Sequence, residues 1–108
     1  MKMFIVKINP EAIIDIKDIS YWYNEQKSGL GKRFLETIIR QINTLNKAPY
    51  AYVIRYNEIR CMVVKKFPYL VHYYINESSG TIEVLAVIST DRDPENWRKK
   101  QENNHSRG

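Results

Sequence analysis

The chain has 108 residues, of which 44% are hydrophobic and 27% are charged, and its formal net charge is +5 at pH 7. This length allows one domain with one hydrophobic core, and the apolar share excludes a chain that is disordered throughout. The single cysteine excludes an internal disulfide and an all-cysteine metal site, no apolar run approaches the roughly 20 residues that cross a bilayer, and the positive charge favours an acidic partner.

The first predicted elements are a strand and a helix. Apolar and polar residues alternate loosely over residues 3–8, which predicts a strand. Asn9 follows and suits a helix N-cap, and Pro10 suits the first helical position. From Pro10 to about Gln26 the apolar residues recur at helical spacing, namely Ala12, Ile13, Ile16, Ile19, Trp22 and Tyr23.

A second helix is predicted directly after the first. Lys27-Ser28-Gly29 interrupts the helical pattern, and Gly29 can adopt the left-handed conformation that ends a helix. Residues 30–47 resume the helical period through Phe34, Leu35, Ile38, Ile39, Ile42 and Leu45. Because the intervening turn is so short, we expect the two helices to form an antiparallel hairpin.

Three or four strands are predicted in the second half of the chain. The candidates are residues 52–56, 59–67, 69–75 and 81–89, with turn residues at 57–58 and 76–80. Phe67-Pro68 cannot continue a central ladder and therefore predicts a corner. The pattern indicates an α+β fold in the order β-α-α-β-β-β, with the helices on one face of an antiparallel meander. We expect one domain over residues 1–100 and a polar, frayed tail at residues 101–108.

Four short phrases occur in order along most of the chain. They are Asn9-Pro10-Glu11-Ala12, residues 22–26 with 29–34, Ile59-Arg60 with residues 66–69 and Tyr73, and residues 84–87 with Arg92-Asp93-Pro94 and Trp97. In this order and spacing they resemble the RelE/ParE superfamily, the toxins of type II toxin–antitoxin systems, often labelled plasmid stabilisation proteins. The resemblance implies a growth-inhibiting toxin domain with a cognate antitoxin. Together with the composition, it predicts a cytoplasmic protein without a cofactor or metal.

The resemblance leaves two mechanisms open, and the first is catalytic. RelE-like members are similar to ribosome-dependent RNases, which need a proton acceptor and cations around the scissile phosphate. The resemblance implies Arg92, Lys65 and Lys66 as candidates for these roles, and His72 is a further candidate because it is a histidine on the predicted sheet.

The nuclease pattern is incomplete in this chain. Leu70 stands where the pattern has an arginine, Trp97 stands where it has a late tyrosine, and Ser89 stands where many relatives have a histidine. The sequence alone therefore leaves open whether the chain is an enzyme.

The second mechanism, and the one that we favour from the sequence, is ParE-like inhibition by binding a large target of the gyrase type. The residues predicted to contact that target are Arg92, Trp97, Lys65, Lys66 and Arg60. Three of these residues also have a structural interpretation. Arg92 could form an ion pair with a neighbouring aspartate, and Trp97 could pack the C-terminal segment onto the rest of the fold. Arg60 could form an ion pair with Asp15 or Glu36. A third hypothesis is a non-toxic relative that acts only as a protein-binding module.

One face of the predicted sheet is expected to remain open for the antitoxin. If Tyr69, Val71, Tyr73 and Ile75 face the helices, then the opposite face carries Leu70, His72 and Tyr74, with His72 half-exposed. An apolar surface of this kind is what an acidic, apolar antitoxin segment would cover. The oligomeric state, a dimer or a toxin–antitoxin hetero-oligomer, is left open.

Overall fold

The structure is a computed structural model, and it describes residues 3–92, with Arg92 described by its backbone. The elements in chain order are β1 (Ile5–Ile8), α1 (Pro10–Gln26), α2 (Leu30–Thr44), β2 (Ile54–Tyr56), β3 (Ile59–Val63), β4 (Tyr69–Asn76), β5 (Thr81–Ser89) and a final 3-10 turn (Thr90–Arg92). The predicted α+β order is confirmed. Trp97 and the predicted tail at residues 101–108 lie outside the described residues.

The five strands form one sheet in the order β1-β5-β4-β3-β2. The pairings from β2 to β5 are antiparallel, as the meander prediction requires. The N-terminal strand β1 pairs with β5 in parallel, from Ile5 opposite Thr81 to Ile8 opposite Val84, so the sheet is mixed. The sequence pattern indicates that β1 is a strand but not which edge it joins, because its partner lies more than 70 residues further on.

A bulge in β5 changes which of its side chains face the core. His72 lies opposite Ala86 and Tyr73 lies opposite Val84, so Leu85 is an extra residue on β5. The inward-facing positions accordingly change from Ile82 and Val84 before the bulge to Val87 after it. The bulge adds Leu85 to the apolar run of this strand and interrupts the alternation of inward and outward positions.

The core lies between the helical hairpin and one face of the sheet. The face of β4 predicted to meet the helices does so, because Val71 and Tyr73 belong to the buried core and Tyr69 and Ile75 pack against it. The helices contribute Ala12, Ile16, Phe34, Ile38 and Ile42 to the same core. The spacing of these residues is the helical period that predicted the two helices.

Two glycines shape the connection between the helices. Gly29 has a φ of 87°, the left-handed conformation predicted for the break. Gly31 is buried where α2 approaches α1: its N–H donates to Asn24 Oδ1 at 2.8 Å, and its carbonyl accepts from Ser20 Oγ at 3.0 Å. A Cβ atom on Gly31 would overlap the backbone carbonyl oxygen of Ser20. The hairpin therefore requires glycine at position 31 for close packing rather than for its φ angle.

Within residues 3–92, neither helix combines the length and the apolar character that a membrane crossing requires.

We predict that Gly31→Ala lowers the free energy of unfolding by about 1–3 kcal/mol, because the added methyl group must push the two helices apart. Urea denaturation followed by circular dichroism measures this change. Ser28→Ala is the matched control, since Ser28 is exposed in the same turn, and its effect should stay within about 0.5 kcal/mol. Equal losses for the two variants would contradict the role assigned to Gly31.

Candidate functional site

The connection between β3 and β4 is a tight turn that carries two adjacent lysines. We call residues 64–69 the basic turn. The Val64 N–H donates to the Tyr69 carbonyl at 2.9 Å, and the Tyr69 N–H donates to the Phe67 carbonyl at 2.8 Å. The side chains of Lys65 and Lys66 are exposed. The corner predicted at Phe67-Pro68 is confirmed, but the strand predicted over residues 59–67 ends at Val63, because the turn begins at Val64.

An aromatic cluster anchors the basic turn to the helical hairpin. The Phe67 ring is buried, and its centroid lies 5.1 Å from both the Tyr23 and the Phe34 ring centroids in edge-to-face geometry. The centroid of the Tyr69 ring lies 5.8 Å from that of the Phe34 ring. Such pairs contribute about 0.5–1.5 kcal/mol each beyond the area that they bury. The position of the two lysines is therefore set by the core.

A buried glutamine of α2 also holds the basic turn. Gln41 Nε2 donates to the Val63 carbonyl at 2.9 Å, and Gln41 Oε1 accepts from the Lys65 N–H at 2.7 Å. Sequence analysis did not single out Gln41. The signal was present, because Gln41 lies three residues after Ile38 and four before Leu45, and a polar residue in the inward stripe of an amphipathic helix requires hydrogen-bond partners.

The end of β5 lies beside the basic turn. The Thr90 N–H donates to the Pro68 carbonyl at 2.9 Å, and the backbone of Arg92 follows two residues later in the 3-10 turn. Three of the predicted site residues, Lys65, Lys66 and Arg92, are thus brought to one end of the sheet. Trp97, which was predicted to act with them, lies outside the described residues.

His72 does not join this group. It lies in the middle of β4 opposite Cys61 and Ala86, on the sheet face that points away from the helices. Its exposed fraction is 1%, so the prediction of a half-exposed histidine is wrong. Part of the reason is the edge strand β2, which places the Tyr56 hydroxyl 2.8 Å from His72 Nδ1. The Cys61 Sγ lies 3.5 Å from the same nitrogen.

The sheet face predicted to be open is only partly exposed. Leu70, like His72, is buried within this chain, with an exposed fraction of 2%, and Tyr74 is half-buried. The expected exposure of Leu70 is therefore also wrong. Val63, opposite Leu70 on the same face, is 53% exposed. Along the described part of this face, Val63 and Tyr74 remain accessible to a partner.

Arg60 lies away from the basic turn and does not pair with a helix carboxylate. It precedes Val63 by three residues, which is about 10 Å along β3. Its Nη1 donates to the Tyr52 carbonyl at 2.6 Å, and its guanidinium carbon lies 5.2 Å from the centroid of the Tyr50 ring. The predicted partner Asp15 instead accepts a hydrogen bond from the Val87 N–H at 3.0 Å. Val87 lies beyond the part of β5 that pairs with β1. Arg60 forms part of the wall of a separate cleft of about 350 Å³.

The hydroxyl of Tyr73 fastens the segment between α2 and β2. It is buried and donates to the Pro49 carbonyl at 2.6 Å. Burial raises the pKa of Tyr73 to about 12, from an ordinary value of 10.0.

Within residues 3–92, no group of three or more histidine, cysteine, aspartate and glutamate side chains is placed to hold a metal ion.

Comparison with known proteins gives one family and several related structures. The family model described as "ParE toxin of type II toxin-antitoxin system, parDE" matches residues 6–94. The chromosomal ParDE system from P. aeruginosa has a TM-score of 0.72 at 15% identity, over 81% of this chain and 96% of that chain. A double mutant of the E. coli toxin RelE in the free state has a TM-score of 0.64 at 12% identity, over 89% of this chain and 92% of that chain.

A third structure is the RelBE2 toxin–antitoxin complex from Mycobacterium tuberculosis, with a TM-score of 0.60 at 17% identity, over 82% of this chain and 93% of that chain. At such low identities these three likenesses establish a shared fold. A search of curated protein sequences found no significant match.

We predict that Tyr73 makes the folded chain less stable as the pH becomes alkaline. The folded chain keeps the phenol neutral up to about pH 12, whereas the unfolded chain ionises it near pH 10, so stability falls as the pH rises through this window. The slope from this group is at most about 1.4 kcal/mol per pH unit. Tyr73→Phe should remove that component and also cost about 1–3 kcal/mol at neutral pH, because the Pro49 carbonyl loses its donor. Urea denaturation between pH 8 and about pH 12 measures both effects; the same alkaline slope in both proteins would contradict the assignment.

Proposed function

We propose that this chain, which belongs to the ParE toxin family of type II toxin–antitoxin systems, inhibits growth by binding a large protein target of the gyrase type. The family match spans residues 6–94, which is most of the chain. The basic turn and the end of β5 form the contact surface in this proposal, with Lys65, Lys66, Arg92 and Trp97 as the contact residues. The guanidinium of Arg60 is engaged by the Tyr52 carbonyl and the Tyr50 ring, so Arg60 is left out of this contact.

The observation that carries the proposal is the exposure pattern along β3 and β4. Lys65 and Lys66 are exposed on a turn that core packing fixes, which suits recognition of an anionic surface. Leu70, at the position where the nuclease pattern has an arginine, is buried, and so is His72, the candidate proton acceptor. A phosphate cleavage centre needs such groups at the scissile bond, and buried side chains cannot supply them. This pattern supports binding over catalysis.

A second candidate function is a ribosome-dependent RNase of the RelE type. The observation that favours it is the convergence of Lys65, Lys66 and the Arg92 backbone at one end of the sheet, where several cations could surround a phosphate. A third candidate is a non-toxic relative that only binds a partner protein. Assays with purified targets separate these three functions.

The partner in this proposal is a cognate antitoxin in the cytoplasm. Structures with the same fold include RelBE toxin–antitoxin complexes from E. coli and Mycobacterium tuberculosis. The net charge of +5 suits an acidic segment, and the hairpin presents exposed apolar side chains, namely Ile13, Ile14, Tyr21, Trp22 and Leu35. On the sheet face predicted for the antitoxin, Leu70 and His72 are buried, so Tyr74 and Val63 are the residues that we assign to the contact.

The target is tested by a supercoiling assay with purified gyrase and this chain. We predict dose-dependent inhibition that weakens at least about tenfold when Lys65 and Lys66 are both changed to glutamate, because each substitution replaces attraction by repulsion. The matched control changes Lys17 and Lys47, which are exposed elsewhere, to glutamate and alters the net charge equally. The control should keep most of the inhibition.

Two results would contradict the proposed target. One is equal weakening in both double variants, which would indicate a nonspecific charge effect. The other is codon-specific cutting of mRNA by the chain on translating ribosomes without any effect on gyrase.

Toxicity itself is tested by expression in a bacterial host. We predict growth arrest when the chain is expressed alone and normal growth when the small open reading frame adjacent to its gene, the expected antitoxin, is expressed with it. Equal growth in the two cultures would favour the non-toxic protein-binding module instead. Immunoblotting for equal amounts of the chain is the required control.

A further inference from the structure

We infer that Gln41 is a positioning residue of the toxin: it fixes the basic turn so that Lys66 presents its amine to an acidic patch on the target protein. This inference rests on the proposed function, because it takes the basic turn as the contact surface. It adds a residue that does not itself touch the target, and it identifies Lys66 as the lysine on which that residue acts.

The Gln41 amide lies where it needs hydrogen-bond partners. The side chain is only 8% exposed, and an amide removed from water is tolerated only when it is hydrogen-bonded. Both of its functional groups are used on the two residues that flank Val64, as donor to the Val63 carbonyl and acceptor from the Lys65 N–H. An apolar residue would fill the same inward position of α2 without needing partners. The glutamine therefore specifies the path of the chain into the basic turn.

Lys66 has an uncommon backbone conformation. Its φ is 69°, in the left-handed region that residues with a Cβ atom rarely adopt. The chain uses glycine for this conformation at Gly29 and Gly80, and it uses Asn57-Glu58 in the two-residue hairpin between β2 and β3, where such turns demand it. Glycine would adopt this φ without strain, so lysine at position 66 has a conformational cost. Backbone strain of this kind is found at functional sites, and together with the exposure of Lys66 it supports a role for the amine.

Gln41 and Lys66 are connected through the backbone of Lys65. Gln41 fixes the N–H of Lys65, and Lys66 is the next residue, exposed and held in one backbone conformation. A lysine whose backbone is already fixed loses less conformational entropy on binding than one on a mobile loop, so the contact gains affinity from the constraint. Loosening the turn should then weaken binding only where Lys66 is present to be positioned.

A double-mutant cycle tests this dependence. The variants are Gln41→Met, which keeps the length of the side chain but removes both hydrogen bonds, Lys66→Ala, and the two together. We expect Gln41→Met to raise the toxin concentration that half-inhibits gyrase by at least about fivefold in the wild-type background, and by less than about twofold in the Lys66→Ala background. The loss of thermal stability caused by Gln41→Met should be the same in both backgrounds, since a purely structural role does not depend on the lysine.

Lys66→Gly provides a second measurement that does not depend on how well the Gln41 variant folds. Glycine relaxes the backbone at this position, so we expect a melting temperature at or above that of the wild type together with inhibition weakened at least about fivefold. Inhibition equal to that of the wild type would overturn the inference. Equal weakening by Gln41→Met with and without Lys66 would overturn it as well.

The failure of the proposed target gives a different pattern. If the wild type does not inhibit gyrase but still arrests growth, then the proposed target is wrong, and the same cycle measured as growth arrest decides the role of Gln41. Coupling between the two residues in that assay supports the inference, and additive effects overturn it. A wild type that inhibits neither gyrase nor growth would overturn both.

Discussion

The contact of Phe67 with Tyr23 and Phe34 is the constraint on which the rest of the structure depends. It joins the turn between β3 and β4 to both helices, with ring centroids 5.1 Å apart in each pair. Pro68 follows at once and accepts a hydrogen bond from the Thr90 N–H at the end of β5. The Phe67 ring thus links the basic turn to the helical hairpin, and the neighbouring Pro68 carbonyl links it to the end of the last strand. The lysines before it and the arginine after β5 share one end of the sheet for this reason.

This arrangement suits recognition better than chemistry. Lys65 and Lys66 are exposed beside a fixed core, whereas Leu70, at the arginine position of the nuclease pattern, and His72, the candidate proton acceptor, are buried in β4. A binding surface needs cations that keep their place, and here the aromatic cluster and Gln41 hold the backbone that carries them. A cleavage centre needs in addition a group that takes a proton at the phosphate, and His72 is enclosed by its neighbours instead. The distinction between the two mechanisms therefore lies in these side chains.

Local pattern predicted much of this structure, and distant contacts account for what it missed. The helical period placed α1 at Pro10–Gln26, and Gly29 was expected in its left-handed conformation, because caps and periodicity are properties of neighbouring residues. The parallel pairing of β1 with β5, the bulge at Leu85 and the burial of His72 depend on strands that are distant in sequence. A carboxylate partner for Arg60 was one interpretation of the sequence. In the structure its guanidinium instead contacts the Tyr52 carbonyl and the Tyr50 ring, both in the connection between α2 and β2.

Footprinting of lysine reactivity on the complex with gyrase tests the central claim most directly. Reductive methylation labels exposed amines, and mass spectrometry compares each lysine in the free and the bound chain. The account predicts that gyrase protects Lys65 and Lys66, while Lys17 and Lys47 react as they do in the free protein. Protection of Lys17 or Lys47 with full reactivity at the basic turn would contradict it.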